Sequence, residues 1–390
     1  MSYTVHYGNL RTGSDISLLP VTSCTFGDEL RGAGNFSASV AAGQTAGRDG
    51  KQPGALWRAT RGANSFWAVE WADAGGRRIV AAGPIYARAA TDDGITFGGG
   101  NMFTMLAHRK LVDPAWSDAA ISATALVWYN LDLGSIMREI VSRVCTTPPG
   151  DLPIVLEPTR TGVNTRTYNG FDVATAADRI VELSNVQDGT GGLGGPDWQF
   201  IPRFKGDLTT AVDYTHVEWA LMTGTAAHPA VPVVDVAPLV LDRGAPMQQT
   251  VGPVTVAEDA SNLATHAFTA GAGTDKAKVI ASTVDATLTG QGYPRMDVSE
   301  TSNALDYGTV HASSAGLLAR RRQIPQGVTV SVRASWWWAQ TGRVGTQVRL
   351  IDPAHPVLGP IDLTSRVAKW SADVDTQWVA LTLADAVTGL

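Results

Sequence analysis

The histidines are the residues of this sequence best suited to hold a metal ion or move a proton: His6, His108, His216, His228, His266, His311 and His355. No two of them lie three to five residues apart, and neither a His-Glu-x-x-His motif nor a Cys-His knuckle is present, so their spacing carries no metal site. A Gly-x-Ser-x-Gly nucleophile elbow is also missing. The glycine run 191–195 lacks the Lys-Ser/Thr of a phosphate loop, and Gly271-Ala272-Gly273-Thr274-Asp275-Lys276 lacks the second glycine and the spacing. The adjacent carboxylates Asp92-Asp93 and Glu258-Asp259 would need environments that drive their pKa values apart before one served as acid and the other as base. Asp92-Asp93-Gly94 reads as a turn instead. The expectation is a protein without catalytic residues, cofactor or metal.

Tryptophan is the unusual feature, with 12 residues of which Trp336, Trp337 and Trp338 are consecutive. On a strand the outer two share one face and the middle one takes the other, which sends at least one large ring toward solvent, a partner or a second layer. These three are therefore candidate interface aromatics, with core packing and a sugar-stacking platform as the other uses of the same rings.

Elements of suitable length must position these groups. The 390 residues exceed one ordinary core, and 41 Gly and 20 Pro beside 17% charged residues favour short strands and many turns. The net charge of -6 argues against a nucleic-acid-binding surface, which needs clustered Lys and Arg. The run Arg320-Arg321-Arg322 suits the last turn of a helix. Cys24 and Cys145 match no metal or redox spacing and read as buried free thiols, with a single disulfide between them as the alternative. No stretch approaches the roughly 18 apolar residues of a membrane span, and residues 1–10 lack the basic start and apolar run of a signal peptide.

Alternation predicts strands at 22–26, 34–40, 55–60, 65–71, 78–82, 83–89 and 94–98, with a hairpin turn at Gly75-Gly76 and a closing turn or strand at 102–109. Asp132 caps a helix in which Ile136, Ile140, Val141 and Val144 share a face and which Pro148-Pro149 stops. A second helix begins after Asp172, with Val173, Ala176, Ala177, Ile180 and Leu183 at helical spacing, and ends at Gly189. Residues 160–169 and 197–201 read as strands. Pro229, Pro232, Pro238 and Pro246 confine 212–257 to edge strands and extended connections. Beyond them, 264–270 and 278–285 are strands, 309–320 is a helix, and 327–334, 336–340, 345–351 and 377–383 are strands. No repeat of about 20 to 50 residues is visible.

Several blocks together resemble the hub family of long-tailed phage tails and related injection machines. Leu30-Arg31-Gly32-Ala33-Gly34-Asn35-Phe36-Ser37 is similar to the family's opening strand, Gly83-Pro84-Ile85-Tyr86 to its Gly-x-Ile strand, and 95–109 to its closing segment with Leu-x-x-Arg. The helix 134–145, the helix 172–186 and Asp197-Trp198-Gln199-Phe200 resemble its insertion. Residues 264–273, Gly292-Tyr293-Pro294-Arg295-Met296 and the alanine-rich helix 309–320 follow in the family's order, and 345–350, Asp352, Arg366-Val367 and 378–383 resemble its closing barrel. The usual Gly-Asp entering that barrel is missing, and Trp336-Trp337-Trp338 with Gly345 stands there instead.

The resemblance implies an α+β, mainly β fold: two small β-barrel domains with an α/β insertion. The first barrel would span 1–112, the insertion 113–205 with 258–322, and the second barrel 206–257 with 323–390. It further implies a homotrimeric tail-tip hub, annular around the DNA channel, joining a sixfold tail tube to a threefold tip. Its partners would be the distal tail protein, the tape measure protein and other tail-tip proteins, in a virion tail assembled in the host cytoplasm, with DNA passing without specific binding. The alternatives are a carbohydrate- or receptor-binding minor tail protein and a hexameric distal tail protein.

Overall fold

The computed structural model describes residues 2–45, 54–113, 115–145, 150–184, 186, 196–206, 212–224, 237–244, 250–258, 260–302, 306–321 and 326–384. Its first segment comprises β1 (Ser2–Asn9), β2 (Ser17–Leu18), β3 (Ser23–Glu29), β4 (Asn35–Ala41), α1 (Ala55–Ala59), β5 (Ser65–Asp73), β6 (Gly76–Thr91), β7 (Gly94–Gly99) and α2 (Phe103–Leu106). The two expected turns form where their residues allow a left-handed backbone, with Gly76 at φ 116° and Gly94 at φ 153°. Residues 55–60 are a helical turn, not a strand, since Ala, Leu and Arg favour helix and Leu56 is the buried member of α1. The alternation read in 65–71 has a further meaning, because every residue from Ser65 to Trp71 is buried. Trp67, Val69 and Trp71 face one core, while Phe66 and Ala68 face another. β5 is thus the middle layer of three.

The second core belongs to the insertion, formed by α3 (Asp118–Ala123), β8 (Ala125–Leu131), α4 (Leu133–Cys145), β9 (Ile154–Leu156), β10 (Asn164–Asn169), α5 (Ala176–Ser184), β11 (Asp197–Lys205) and β12 (Asp213–Gly224). The Asp132 carboxylate accepts the Ser135 N–H at 2.6 Å, and Ile136, Ile140, Val141 and Val144 are buried along α4. α5 starts later than the periodicity implies. A reciprocal capping box fixes its first turn, the Thr175 hydroxyl accepting the Asp178 N–H at 3.0 Å and Asp178 accepting the Thr175 N–H at 3.2 Å. Val173 stays outside, left-handed at φ 45°. β12, expected among edge strands of the second barrel, lies between β11, antiparallel, and β9, parallel. Its indole Trp219 donates to the Ala82 carbonyl at 3.2 Å and meets Phe66 edge-on, so this sheet packs on the β5–β6 layer.

The remaining chain forms β13 (Leu239–Asp242), β14 (Val251–Glu258), β15 (His266–Ala270), β16 (Ile280–Val284), α6 (Ala286–Gly290), β17 (Asp297–Thr301), α7 (Tyr307–Arg321), β18 (Gln326–Arg333), α8 (Ala334–Ala339), β19 (Gln347–His355), β20 (Gly359–Asp373) and β21 (Trp378–Leu383). β16, β15 and β17 make a separate sheet under α7, with a small core of Ala264, Ala267, Leu317 and Leu318. Residues 258–322, grouped by sequence with 113–205, therefore carry a sheet and core of their own. The readings at Pro148-Pro149, Gly189, 191–195, His228, Pro229, Pro232, Pro246, Asp259 and Arg322 lie outside the described residues.

The fold is mainly β, as expected, but among the described residues closure into two barrels is not found. Hydrogen bonding runs instead through one 13-stranded sheet, with β14 at one end and β2 at the other. Within it the topology repeats. In the first unit the strand order is β3-β4-β7-β6-β5-β1, and in the second β14-β18-β21-β20-β19-β13. Taken along the chain, each strand of the first series matches its counterpart in the second, and a short helix, α1 or α8, falls between the matching strands β4–β5 and β18–β19. One pairing differs in direction: β1–β5 is antiparallel and β13–β19 parallel.

Trp336, Trp337 and Trp338 stand in α8, not on the expected strand. A helix turns successive side chains by about 100°, so Trp337 and Trp338 both point inward, and both are buried. Trp336 is partly buried against the same core. The chain leaves α8 at Gly342, where a Cβ would lie 2.1 Å from the Trp337 ring. Gly342→Ala is expected to lower stability by about 1–3 kcal/mol through overpacking, read as a reduced urea midpoint at unchanged slope.

Candidate functional site

The two β units meet along β3 and β20, which pair antiparallel from Lys369 opposite Glu29 to Asp373 opposite Thr25. The ladder extends into the next turn, where the Leu30 N–H donates to the Ala368 carbonyl at 2.8 Å. Behind it a chain of aromatic contacts crosses from one unit to the other. Trp71 touches Tyr3 at 4.8 Å between centroids, Tyr3 touches Phe26 at 5.4 Å, Phe26 touches Trp370 at 5.8 Å, and Trp370 touches Trp338 at 5.1 Å. All four are edge-on, the arrangement that ring quadrupoles favour. The Trp338 indole donates to the Tyr3 hydroxyl at 2.8 Å, closing the chain into a loop. Arg78 of β6 donates to the Trp338 carbonyl.

The insertion is tied in by one carboxylate. Asp197, at the start of β11, accepts from Arg31 of the first unit and from Arg366 of the second, each at 2.7 Å. Arg31 also reaches the Ser184 carbonyl at 3.3 Å, and Ser184 accepts from the Trp198 indole at 2.9 Å. A second cluster lies where β1, β5 and β6 face the insertion. Glu70 accepts two bonds from Arg77, at 2.6 and 2.8 Å, and one from His6 at 3.0 Å. Arg77 in turn lies 4.9 Å over the Tyr214 ring of β12. Burial pushes the Glu70 carboxyl up, but its hydrogen bonds from Arg77 and His6, with the charges behind them, outweigh that and hold it down at about 2.

The sequence-predicted residues sit as follows. Trp337 and Trp338 line the junction from inside, with Trp336 beside them. Of the histidines, His6 joins the Glu70 cluster and His216 pairs with Asp213 at 2.7 Å. Among the described residues, no three His, Cys, Asp or Glu side chains stand close enough to share a metal ion. Cys24 and Cys145 are buried free thiols, and burial pushes each up to about 12. In the sequence Asp197, Arg31 and Arg366 belong to separate motifs and carry no mark of a shared site. Their pairing joins residues 166 and 169 positions apart, a separation that leaves no local signal. What this arrangement can do is hold three units in a fixed relation.

No family model matches the chain, and no curated protein matches it by sequence. Solved structures do. The 43 kDa tail protein of prophage MuSo2 from Shewanella oneidensis superposes at a TM-score of 0.53 with 14% identity, over 98% of this chain and 98% of that one. The tail protein from Neisseria meningitidis MC58 does so at 0.51 with 12% identity, over 99% of this chain and 97% of that one. The chain therefore has a phage tail protein fold. The likeness runs through both β units and the insertion, because it covers nearly the whole of each chain.

Asp197→Ala leaves two guanidiniums without their shared partner. Arg31 and Arg366 keep 28% and 36% of their solvent exposure, so the expected loss is about 2 kcal/mol, below that of a fully buried pair, measurable by denaturant unfolding. The depressed Glu70 carboxyl contributes stability that is present above its ordinary value of 4.5 and disappears as pH falls through about 2. A Glu70→Gln chain is expected to be less stable at neutral pH and to show a shallower loss across that acid window in pH-dependent melting.

Proposed function

We propose that this chain is a structural, non-catalytic component of a phage tail tip, a homotrimeric hub ring that joins a sixfold tube to a threefold tip around the DNA channel. One observation carries the reading: the strand topology is duplicated within the chain, so three chains present six similar β units. The duplication also supplies a way to close the ring. It matches β20 with β6 and β3 with β14, and β20–β3 is a pairing made inside the chain. Its counterpart would join the second half of β6 to β14 of the next subunit; among the described residues the one pairs only with β7 and the other only with β18. Three such contacts leave neither edge open.

The face of this sheet opposite the core supports a channel lining. Thr255, Thr329, Thr382, Lys369 and Glu29 form one cross-strand row over the seam, and Ala87, Gly98, Ser37, Thr25 and Asp373 form another. None of these residues is buried. Small hydroxyl and alanine side chains are wetted without offering DNA the clustered cations that would retain it. The lone lysine of the two rows, Lys369, stands directly opposite Glu29. Association with the distal tail protein, the tape measure protein and other tail-tip proteins at the ends of the ring belongs to the same reading.

Native mass spectrometry of the full chain, alone and with its tail neighbours, is expected to give three copies, and imaging a ring with pseudo-sixfold symmetry. Six copies would favour the distal-tail alternative. A chain that stays monomeric at high concentration with those neighbours present would sink the ring.

A further inference from the structure

A cavity of about 360 Å³ opens where all three units meet, between β3, β6, β11, β12, α8 and β20, in the size range of small-ligand and side-chain pockets. Trp338, Trp370, Ile201 and Met222 give it aromatic and aliphatic walls. Four of its wall residues are ionisable, and two are answered from outside: Arg78 by Asp73 at 3.5 Å and Arg203 by Glu218 at 2.7 Å. The other two are not. Among the described residues no cation pairs with Asp28, whose carboxylate accepts from the Asn101 amide at 2.8 Å, and no side-chain partner meets the guanidinium of Arg343, an exposed residue whose pKa burial of the charged group lowers. Burial pushes the Asp28 carboxyl up to about 6 against that hydrogen bond.

The backbone around the cavity points to the kind of occupant. Among the described residues β11 pairs with β12 alone and the first half of β6 with β5 alone, so each keeps an unpaired edge, and both strands line the cavity. The Trp198 carbonyl already takes the Arg31 N–H at 3.3 Å on that edge of β11. Edges of this kind take up extended backbone, and pockets beside them read alternate side chains.

We propose that this cavity binds an extended peptide segment of another chain, with a basic side chain at Asp28, an acidic group at Arg343 and aliphatic side chains between them on Trp338 and Trp370. The proposal goes beyond the hub reading, since it assigns a partner chemistry to a cavity inside one subunit and does not require the ring.

The probes are the synthetic peptides acetyl-Lys-Leu-Leu-Glu-amide, its reversed-polarity form acetyl-Glu-Leu-Leu-Lys-amide, and the uncharged acetyl-Gln-Leu-Leu-Gln-amide, titrated against the full chain with tryptophan fluorescence as the readout. One charged polarity is expected to give a saturable change and to bind at least about tenfold more tightly than the uncharged peptide, the size of a single charge-pair contribution. Asp28→Asn and Arg343→Gln are each expected to remove that preference. Arg343 is exposed and has no side-chain partner to lose, so its variant keeps the fold and serves as the decisive one. Absence of saturable binding by either charged peptide, equal binding of the uncharged peptide, or a preference that survives Arg343→Gln would overturn the proposal. None of these outcomes depends on the number of subunits, so the ring and the cavity stand or fall separately.

Discussion

The pairing of β3 with β20 is the constraint on which the rest of the structure depends. It joins strands more than 330 residues apart in sequence, and closing so long a loop costs entropy that local contacts do not return. The return comes from what the pairing brings together. With β20 beside β3, Phe26 meets Trp370 and Trp338 meets Tyr3, and residues of both β units share one apolar core. The same alignment puts Arg366 within reach of Asp197, whose other oxygen holds Arg31. Backbone ladder, aromatic chain and ion triad therefore form together.

The insertion relies on a different economy of space. β5 lends one face to the shared β core and the other to α4, α5, β11 and β12. A strand buried on both sides has no room for an unpaired charge. Glu70 is the charged residue in the buried run 65–71, and three hydrogen bonds from Arg77 and His6 pair it. Arg77 then passes this constraint outward through its contact with Tyr214 of the insertion.

Much of this was legible in the sequence where the pattern is local. The Asp132 cap and the face Ile136, Ile140, Val141 and Val144 gave α4, and the alternation from Phe66 to Trp71 gave β5. What escaped did so for identifiable reasons. In β20 the buried positions run Ile361, Leu363 and Val367, then shift to Trp370 and Ala372 across a bulge between Val367 and Lys369, which breaks the period of two. Three consecutive tryptophans look like a strand until Gly342 allows Trp337 to fold back over it. Val173 continues the helical spacing of α5, yet the capping box at Thr175 excludes it. The duplication of the two β units left no sequence repeat, because it lies in the order of pairing. The Asp197 triad is legible only after the chain is folded.

The place of β20 in the sequence bears on how the chain is made. β3 leaves the ribosome long before its partner β20 does. Until β20 follows, β4, with β7 beyond it, can join β3 on one side, while its other edge, and the rings of Tyr3 and Phe26 behind it, remain uncovered. Exposed edges and aromatic surface of this kind are what chaperones hold and what aggregates recruit. The seam therefore acts as a late fastening, so a chain interrupted before Gly359 would leave open the edge of β3 that β20 covers.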